Sequence, residues 1–203
     1  MSGMFLRVTL AAALLLVTGC GRSENKTSAA AEAGPPKPLV AVLETDKGTV
    51  EFELLTGAAP KTVENFRLLA ERGYYNGLTF HRVVKGFMLQ GGDPKGDGSG
   101  GTSAWGGTFA DEIQPTSSLY ERGLGYKRGV VAMANRGPNT NTSQFFILHQ
   151  DHPMPPNYTI FGRVTKGLEV VDVLAEVKTQ RGTDGAMSQP VPSLVIHKVT
   201  VRQ

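Results

Sequence analysis

Apolar residues recur along this chain at two different periods, and the two periods mark its elements. From Leu39 to Thr45 and from Thr49 to Leu55 they alternate; in the second run Val50, Phe52 and Leu54 interleave with Thr49, Glu51 and Glu53. Alternation puts successive side chains on opposite faces of a half-buried strand. The intervening Asp46-Lys47-Gly48 predicts a tight turn, hence a hairpin. Pro60 to Arg72 instead carries Val63, Phe66 and Leu69 or Ala70 at helical spacing, with proline near the first turn and Gly73 just past the end. Leu168, Val171 and Leu174 or Ala175 predict a second amphipathic helix over Gly167 to Glu176. Thr159 to Val164 and Leu194 to Val201 predict further strands. Many short strands with turn residues between them, plus two separate helices, predict a mainly β, antiparallel barrel with helical caps. The stripe of the first helix is expected to plug the open end of that barrel.

Two stretches carry the candidate chemistry. Phe80 to Asp93 reads FHRVVKGFMLQGGD, a strand that bends at Gly86 and resumes at Phe87. Alternation predicts Arg82, Met88 and Gln90 on one surface, with Val83 and Leu89 facing a core. Taken alone, this could equally be a half-buried strand with an arginine snorkelling at its rim. Val130 to Leu148, VVAMANRGPNTNTSQFFIL, predicts strand, polar turn and strand, and brings Ala134, Asn135, Gln144, Phe145 and Phe146. Neither stretch offers a nucleophile with a base, or a carboxylate dyad. Together they offer an apolar pocket, hydrogen-bonding amides and one fixed cation.

FHRVVKGFMLQGGD and MANRGPNTNTSQFFI closely resemble the two main motifs of the cyclophilins, a class of peptidyl-prolyl cis-trans isomerases, and the resemblance runs from about Leu39 to the C-terminus. It implies a closed eight-stranded antiparallel barrel capped by two α-helices. It implies Arg82 as the catalytic hydrogen-bond donor and Phe87, Met88 and Phe146 as the lining of a proline-ring pocket. Gln90, Asn135 and Gln144 would hold the peptide backbone or orient Arg82, Ala134 would leave room for the residue before proline, and Ser99 would lie near the rim. No cofactor or metal is implied. Two departures stand out. The best-known members border the pocket with a tryptophan where this chain reads His152-Pro153-Met154-Pro155-Pro156, with Met154 or Pro155 nearest. Tyr158 stands where they carry a histidine under the proline ring, although tyrosine also occurs there.

Other polar clusters carry no comparable chemistry. The glycine-rich Pro94 to Gly107 lacks the Lys-Ser/Thr of a phosphate cradle, and Lys95 occupies the place where a calcium loop needs Asp or Asn. It is expected to be a pocket-rim loop. Asp111 and Glu112 are expected to be solvated acids. His81 is expected to pack; His149 and His152 lie in a loop with no third metal ligand nearby; His197 is expected at a strand edge or satisfied inside.

The N-terminus changes the picture of where the domain works. Arg7 is followed by the apolar run Val8 to Val17, too short to span a bilayer, and then by Val17-Thr18-Gly19-Cys20. The pattern resembles a bacterial lipobox, so residues 1–19 are expected to be a lipoprotein-type signal peptide and Cys20 the lipidated N-terminus of the mature chain. Residues 20–38 have no large apolar side chain and are expected to be a flexible linker. Residues 39–203 then form the isomerase domain. Cys20 is the only cysteine, so an internal disulfide is excluded. A net charge of +3 without a Lys/Arg run argues against a nucleic-acid partner. The expected partners are proline-containing peptides and folding envelope proteins, with a lipid anchor in the membrane, and the domain is expected to be a monomer. Two other functions compete: a proline-peptide-binding or holdase module with incidental turnover, and a structural surface lipoprotein. The intact set of Arg82, Phe87, Met88, Gln90 and Phe146 favours the isomerase over both.

Overall fold

A computed structural model describes residues 37–114, 117–120 and 125–203. The signal peptide, the Cys20 lipidation site and nearly all of the linker expected from the sequence lie outside the described residues. In chain order the elements are β1 (Val40–Thr45), β2 (Gly48–Leu54), α1 (Pro60–Glu71), β3 (Thr79–Phe80), β4 (Arg82–Val84), β5 (Met88–Gly91) and β6 (Val130–Met133). β7 (Phe145–Leu148), β8 (Ile160–Lys166), α2 (Leu168–Ala175), β9 (Thr179–Arg181), β10 (Met187–Pro190) and β11 (Leu194–Arg202) follow.

Nine strands form one antiparallel sheet in the order β3-β11-β1-β2-β8-β6-β7-β5-β4, and β9 and β10 make a separate hairpin. The two edge strands, β3 and β4, are separated in sequence only by His81. The chain therefore draws the sheet's two edges together, and a Thr79–Asp93 bridge helps seal the seam. The barrel is nearly closed, and it has nine strands where eight were expected. The extra strand arises because the chain bends at His81, so one run divides into β3, paired with β11, and β4, paired with β5. The β9–β10 hairpin was not expected at all, because its residues are polar and mostly exposed and show no apolar alternation.

Strand alternation splits the apolar residues between two cores. Val131, Met133, Phe145, Ile147 and Leu89 face the barrel interior. Val130, Ala132, Phe146, Leu148 and Met88 face outward and join Tyr120, Tyr126 and Ile160 in a second cluster. Helix α1 covers the interior core through Val63, Phe66, Leu69 and Ala70, as its stripe predicts. Phe66 lies at the centre of an aromatic group, with ring centroids 5.5 Å from Phe52, 4.9 Å from Tyr75, 5.6 Å from Phe145 and 5.4 Å from Phe161. Edge-on and stacked contacts of this kind favour one packing arrangement over others.

The acids expected to be solvated are structural. The N-cap of α1 is Ala59, which has no side chain to accept its free N–H groups. Glu112 supplies both oxygens instead: Oε1 accepts from Lys61 N at 3.0 Å and Oε2 from Thr62 N at 2.7 Å. Asp111 accepts from Asn139 N at 2.8 Å and from Asn141 Nδ2 at 2.7 Å, which ties down the turn after β6. Asp172 on α2 pairs with both Nη atoms of Arg128, at 2.5 and 2.9 Å.

Candidate active site

The site begins at the β4–β5 hairpin. Gly86 turns the chain with φ +81°, a conformation that L side chains resist. The resulting register sets Arg82 opposite Gln90, Val83 opposite Leu89 and Val84 opposite Met88. Arg82 and Gln90 thus share one face with Met88, while Val83 and Leu89 are buried in the interior core, the division that alternation predicts. Next to β5, strand β7 places Phe146 opposite Gln90, and β6 ends where Ala134 N donates to Gln144 O at 3.0 Å. At the end of β5, Gly92 lies so close to β7 that an added Cβ would stand 2.4 Å from Ser143 O.

On this outer face a cavity of about 220 Å³ is lined by Arg82, Phe87, Met88, Gln90, Ala134, Asn135, Phe146 and Tyr158. Five of these walls are apolar or aromatic. Tyr158 meets Phe146 edge-on at 5.4 Å, and its backbone is fixed by Tyr126, whose hydroxyl donates to Tyr158 O at 2.8 Å and accepts from Tyr158 N at 3.0 Å. Burial pushes the Tyr126 hydroxyl pKa up, so it stays protonated as that donor. Tyr120 accepts from Ile160 N at 2.7 Å, and burial raises its pKa to about 12.

The polar groups form a connected chain. Gln90 Nε2 donates to Gln144 Oε1 at 2.9 Å, and Gln144 Nε2 donates to Gly98 O at 3.0 Å and Gly100 O at 2.8 Å. Gln144 therefore stands behind the cavity, between Gln90 and the glycine-rich loop. Asp93 shapes that loop by accepting from Lys95 N at 2.9 Å and Gly98 N at 2.7 Å. Ser99 is also outside the 220 Å³ cavity; it lines a neighbouring one of about 410 Å³ that shares Arg82 and Gln90. Asn135 Nδ2 donates to Asn157 O at 2.8 Å. A third cavity of about 680 Å³ shares Asn135 and Tyr158. The smallest of the three is the chemical candidate, because it alone sets apolar walls against Arg82.

The histidines occupy four different settings. His81 is mostly buried, neither ring nitrogen has a hydrogen-bond partner among the described residues, and burial lowers its pKa, so it is neutral. His149 is buried, accepts from Gly86 N at 2.9 Å through Nδ1, and lies 3.2 Å from Asp172. His152 is exposed and packs at a tilt against Phe87 with centroids 4.3 Å apart. His197 is exposed and pairs with Asp46 at 2.7 Å. Met154 packs on the second core, and Trp105 lies over Phe109.

The sequence gives no hint of Asp184. Its Oδ2 accepts from Arg82 Nε at 2.7 Å, across 102 positions of sequence. Burial raises the pKa of this carboxyl, but hydrogen bonds from Arg82, Ser188 and Ala186 outweigh it and bring it to about 2. Asp184 is thus ionised at any neutral pH.

A cavity with one cation, two amides and no nucleophile or base suits a protein that binds an apolar side chain and acts on the adjoining backbone without making or breaking a bond. A nearly closed antiparallel barrel with two helices, carrying such a site on its outer face, defines the class of noncovalent peptide-bond isomerases. The chain belongs to the family described as cyclophilin type peptidyl-prolyl cis-trans isomerase/CLD, which it matches over residues 40–201. It is 45% identical over 160 residues to peptidyl-prolyl cis-trans isomerase CYP18-1 of Arabidopsis thaliana, covering 78% of this chain and 93% of that protein. It is 44% identical to peptidyl-prolyl cis-trans isomerase-like 3 of Gallus gallus, covering 80% and 96%. A cyclophilin type peptidyl-prolyl cis-trans isomerase of Cryptosporidium parvum superposes with a TM-score of 0.73 at 34% identity, covering 82% of this chain and 99% of that one. That protein's structure was also determined in the presence of the dipeptide Ala-Pro. The chain is a cyclophilin-type peptidyl-prolyl cis-trans isomerase.

Proposed function

We propose that the 220 Å³ cavity is the proline site and that Arg82 is the catalytic donor. The X-Pro bond is held planar by amide resonance behind a barrier of ~20 kcal/mol. In the twisted state the proline nitrogen turns pyramidal and gains a lone pair. A guanidinium N–H directed at that lone pair stabilises the twisted state more than either planar one. Phe87, Met88, Phe146 and Tyr158 take the ring and keep water from it. Gln90 and Asn135 hold the backbone, Gln144 sets the angle of Gln90, Ala134 admits the residue before proline, and Ser99 meets the chain further along. A turnover near ~100 per second requires about four decades over the free peptide, or roughly 5 kcal/mol, within reach of one charged donor in a dry pocket.

The observation that carries this reading is the open guanidinium beside the apolar walls: Arg82 lines the cavity, and its Nη2 has no hydrogen-bond partner among the described residues. The Ala-Pro dipeptide named for the Cryptosporidium protein supports proline peptides as ligands. Arg82→Ala should lower isomerisation of Xaa-Pro peptides at least a hundredfold, about 2.7 kcal/mol of barrier. Near-normal turnover in a folded variant would sink the role.

The substrates in this reading are proline-containing peptides and proteins folding outside the cytoplasm, and the protein works as a monomer tethered to a bacterial membrane. Arg7, the short apolar run Val8 to Val17, the small residues before Cys20 and the polar segment after it support a lipoprotein form. Lipid labelling should mark the wild-type chain and be lost in Cys20→Ser; labelling that survives the substitution overturns the anchor.

A further inference from the structure

Arg82 carries its donor groups on three nitrogens, and the structure assigns them different surroundings. Nε donates to Asp184 at 2.7 Å, Nη1 lies 3.8 Å from Met88 Sδ, and Nη2 has no hydrogen-bond partner among the described residues. Gln90, although directly opposite Arg82, does not hold it, because the Gln90 amide donates to Gln144. Within the two sequence motifs the guanidinium meets only the Met88 thioether, a weak acceptor, among the described residues. The anchor comes from the tip of the β9–β10 hairpin.

That tip is itself held in place. Asp184 Oδ1 accepts from Ala186 N at 3.0 Å and from Ser188 Oγ at 2.7 Å, and Ser188 is buried. The adjacent Thr183 donates from Oγ1 to Asp97 O at 2.8 Å, which ties the tip to the glycine-rich loop. Two neighbouring residues thus brace two walls of the 410 Å³ cavity. Asp184 lines that cavity and not the proline cavity, so it reaches the guanidinium from the side away from the proline ring.

We propose that Asp184 is a positioning residue for the isomerisation, gripping Arg82 by Nε so that an Nη edge faces the proline nitrogen. The inference rests on Arg82 being the catalytic donor. Two effects of the carboxylate oppose each other. Its negative charge weakens the field of the guanidinium, while its hydrogen bond keeps a long, rotatable side chain in the one orientation that reaches the twisted amide. Orientation wins, because the carboxylate lies on the far side of a partly exposed arginine, where solvent screens its charge, whereas a misplaced donor contributes nothing.

The test measures kcat and KM on Xaa-Pro peptides with the full chain as wild type, Asp184→Ala, Asp184→Asn, Arg82→Ala and the Arg82→Ala/Asp184→Ala double variant. Asp184→Ala should lower kcat by about tenfold with KM within about twofold of wild type. Asparagine keeps an oxygen that can accept from Nε, so Asp184→Asn should recover most of the loss. With Arg82 already alanine, removing Asp184 should change nothing further, since there is no guanidinium left to hold. Wild-type or faster turnover in Asp184→Ala overturns the proposal. So does an asparagine variant no better than alanine, or a loss of the same size in the Arg82→Ala background, which would mark a general loosening of the domain. If Arg82→Ala keeps its activity, the donor assignment falls and this inference with it. If Arg82→Ala is inactive and Asp184→Ala is normal, only the role of Asp184 is lost.

Discussion

Gln144→Met separates the two jobs of the residue behind the cavity. Gln144 is 5% exposed and makes three hydrogen bonds, but their loss is not three equal costs. Gly98 O keeps a second donor, Arg136 Nη2. Gln90 is half-buried beside the open cavity, so water can replace its lost partner. Gly100 O is buried and has no other partner among the described residues, so it alone becomes an orphaned acceptor. One such group costs ~1–3 kcal/mol. Methionine fills nearly the same volume, so little cavity cost is added. The expected destabilisation is therefore about 2 kcal/mol, which for a domain of this size lowers Tm by roughly 4–8 °C. Activity is a separate readout. Gln90 loses the bond that sets its angle, and kcat/KM should fall about tenfold, or ~1.4 kcal/mol of barrier. Thermal melts and peptide turnover are measured on the same preparation. A Tm within about 1 °C of wild type, with kcat/KM within about twofold, would refute both halves of the reasoning.

Glu112→Ala removes the one side-chain acceptor that the described residues place at the start of α1 and should cost about 1 kcal/mol in urea unfolding without changing kcat; an unchanged midpoint would mean that water caps the helix equally well. Cyclosporin, the cyclic peptide that the family resemblance implies as a ligand, should inhibit poorly. The family resemblance implies a tryptophan indole donor at the pocket edge, while this chain has Met154 packed on the second core and Pro155 beside it. The missing hydrogen bond weakens binding by about one to two decades, and Met154→Trp or Pro155→Trp should restore part of it. Tight inhibition of the wild type in a turnover titration would show the rim argument to be wrong.

Local pattern alone determined the β1–β2 hairpin, both helices, and the division of β4 and β5 into a core face and a site face. Each of these depends on a period of two or of 3.6 and on turn residues within a few positions. Most of the candidate site was legible for the same reason: Arg82 to Gln90 lies on one hairpin, and Ala134 to Phe146 lies on the β6–β7 connection and the start of β7 beside it. The resemblance added roles that spacing could not supply. Long-range placement was not legible. Glu112 looks like any surface acid until the fold brings it to a helix start 50 positions away in sequence. The bend at His81 splits one run into two edge strands, and only the curvature of the sheet reveals that. Asp184 sits on a polar hairpin without alternation, so no local pattern could mark it as the partner of Arg82. A charge pair across 102 positions of sequence exists only once the barrel has brought both residues to the same cavity wall, because the attraction between them depends on distance in space and not on position in the chain.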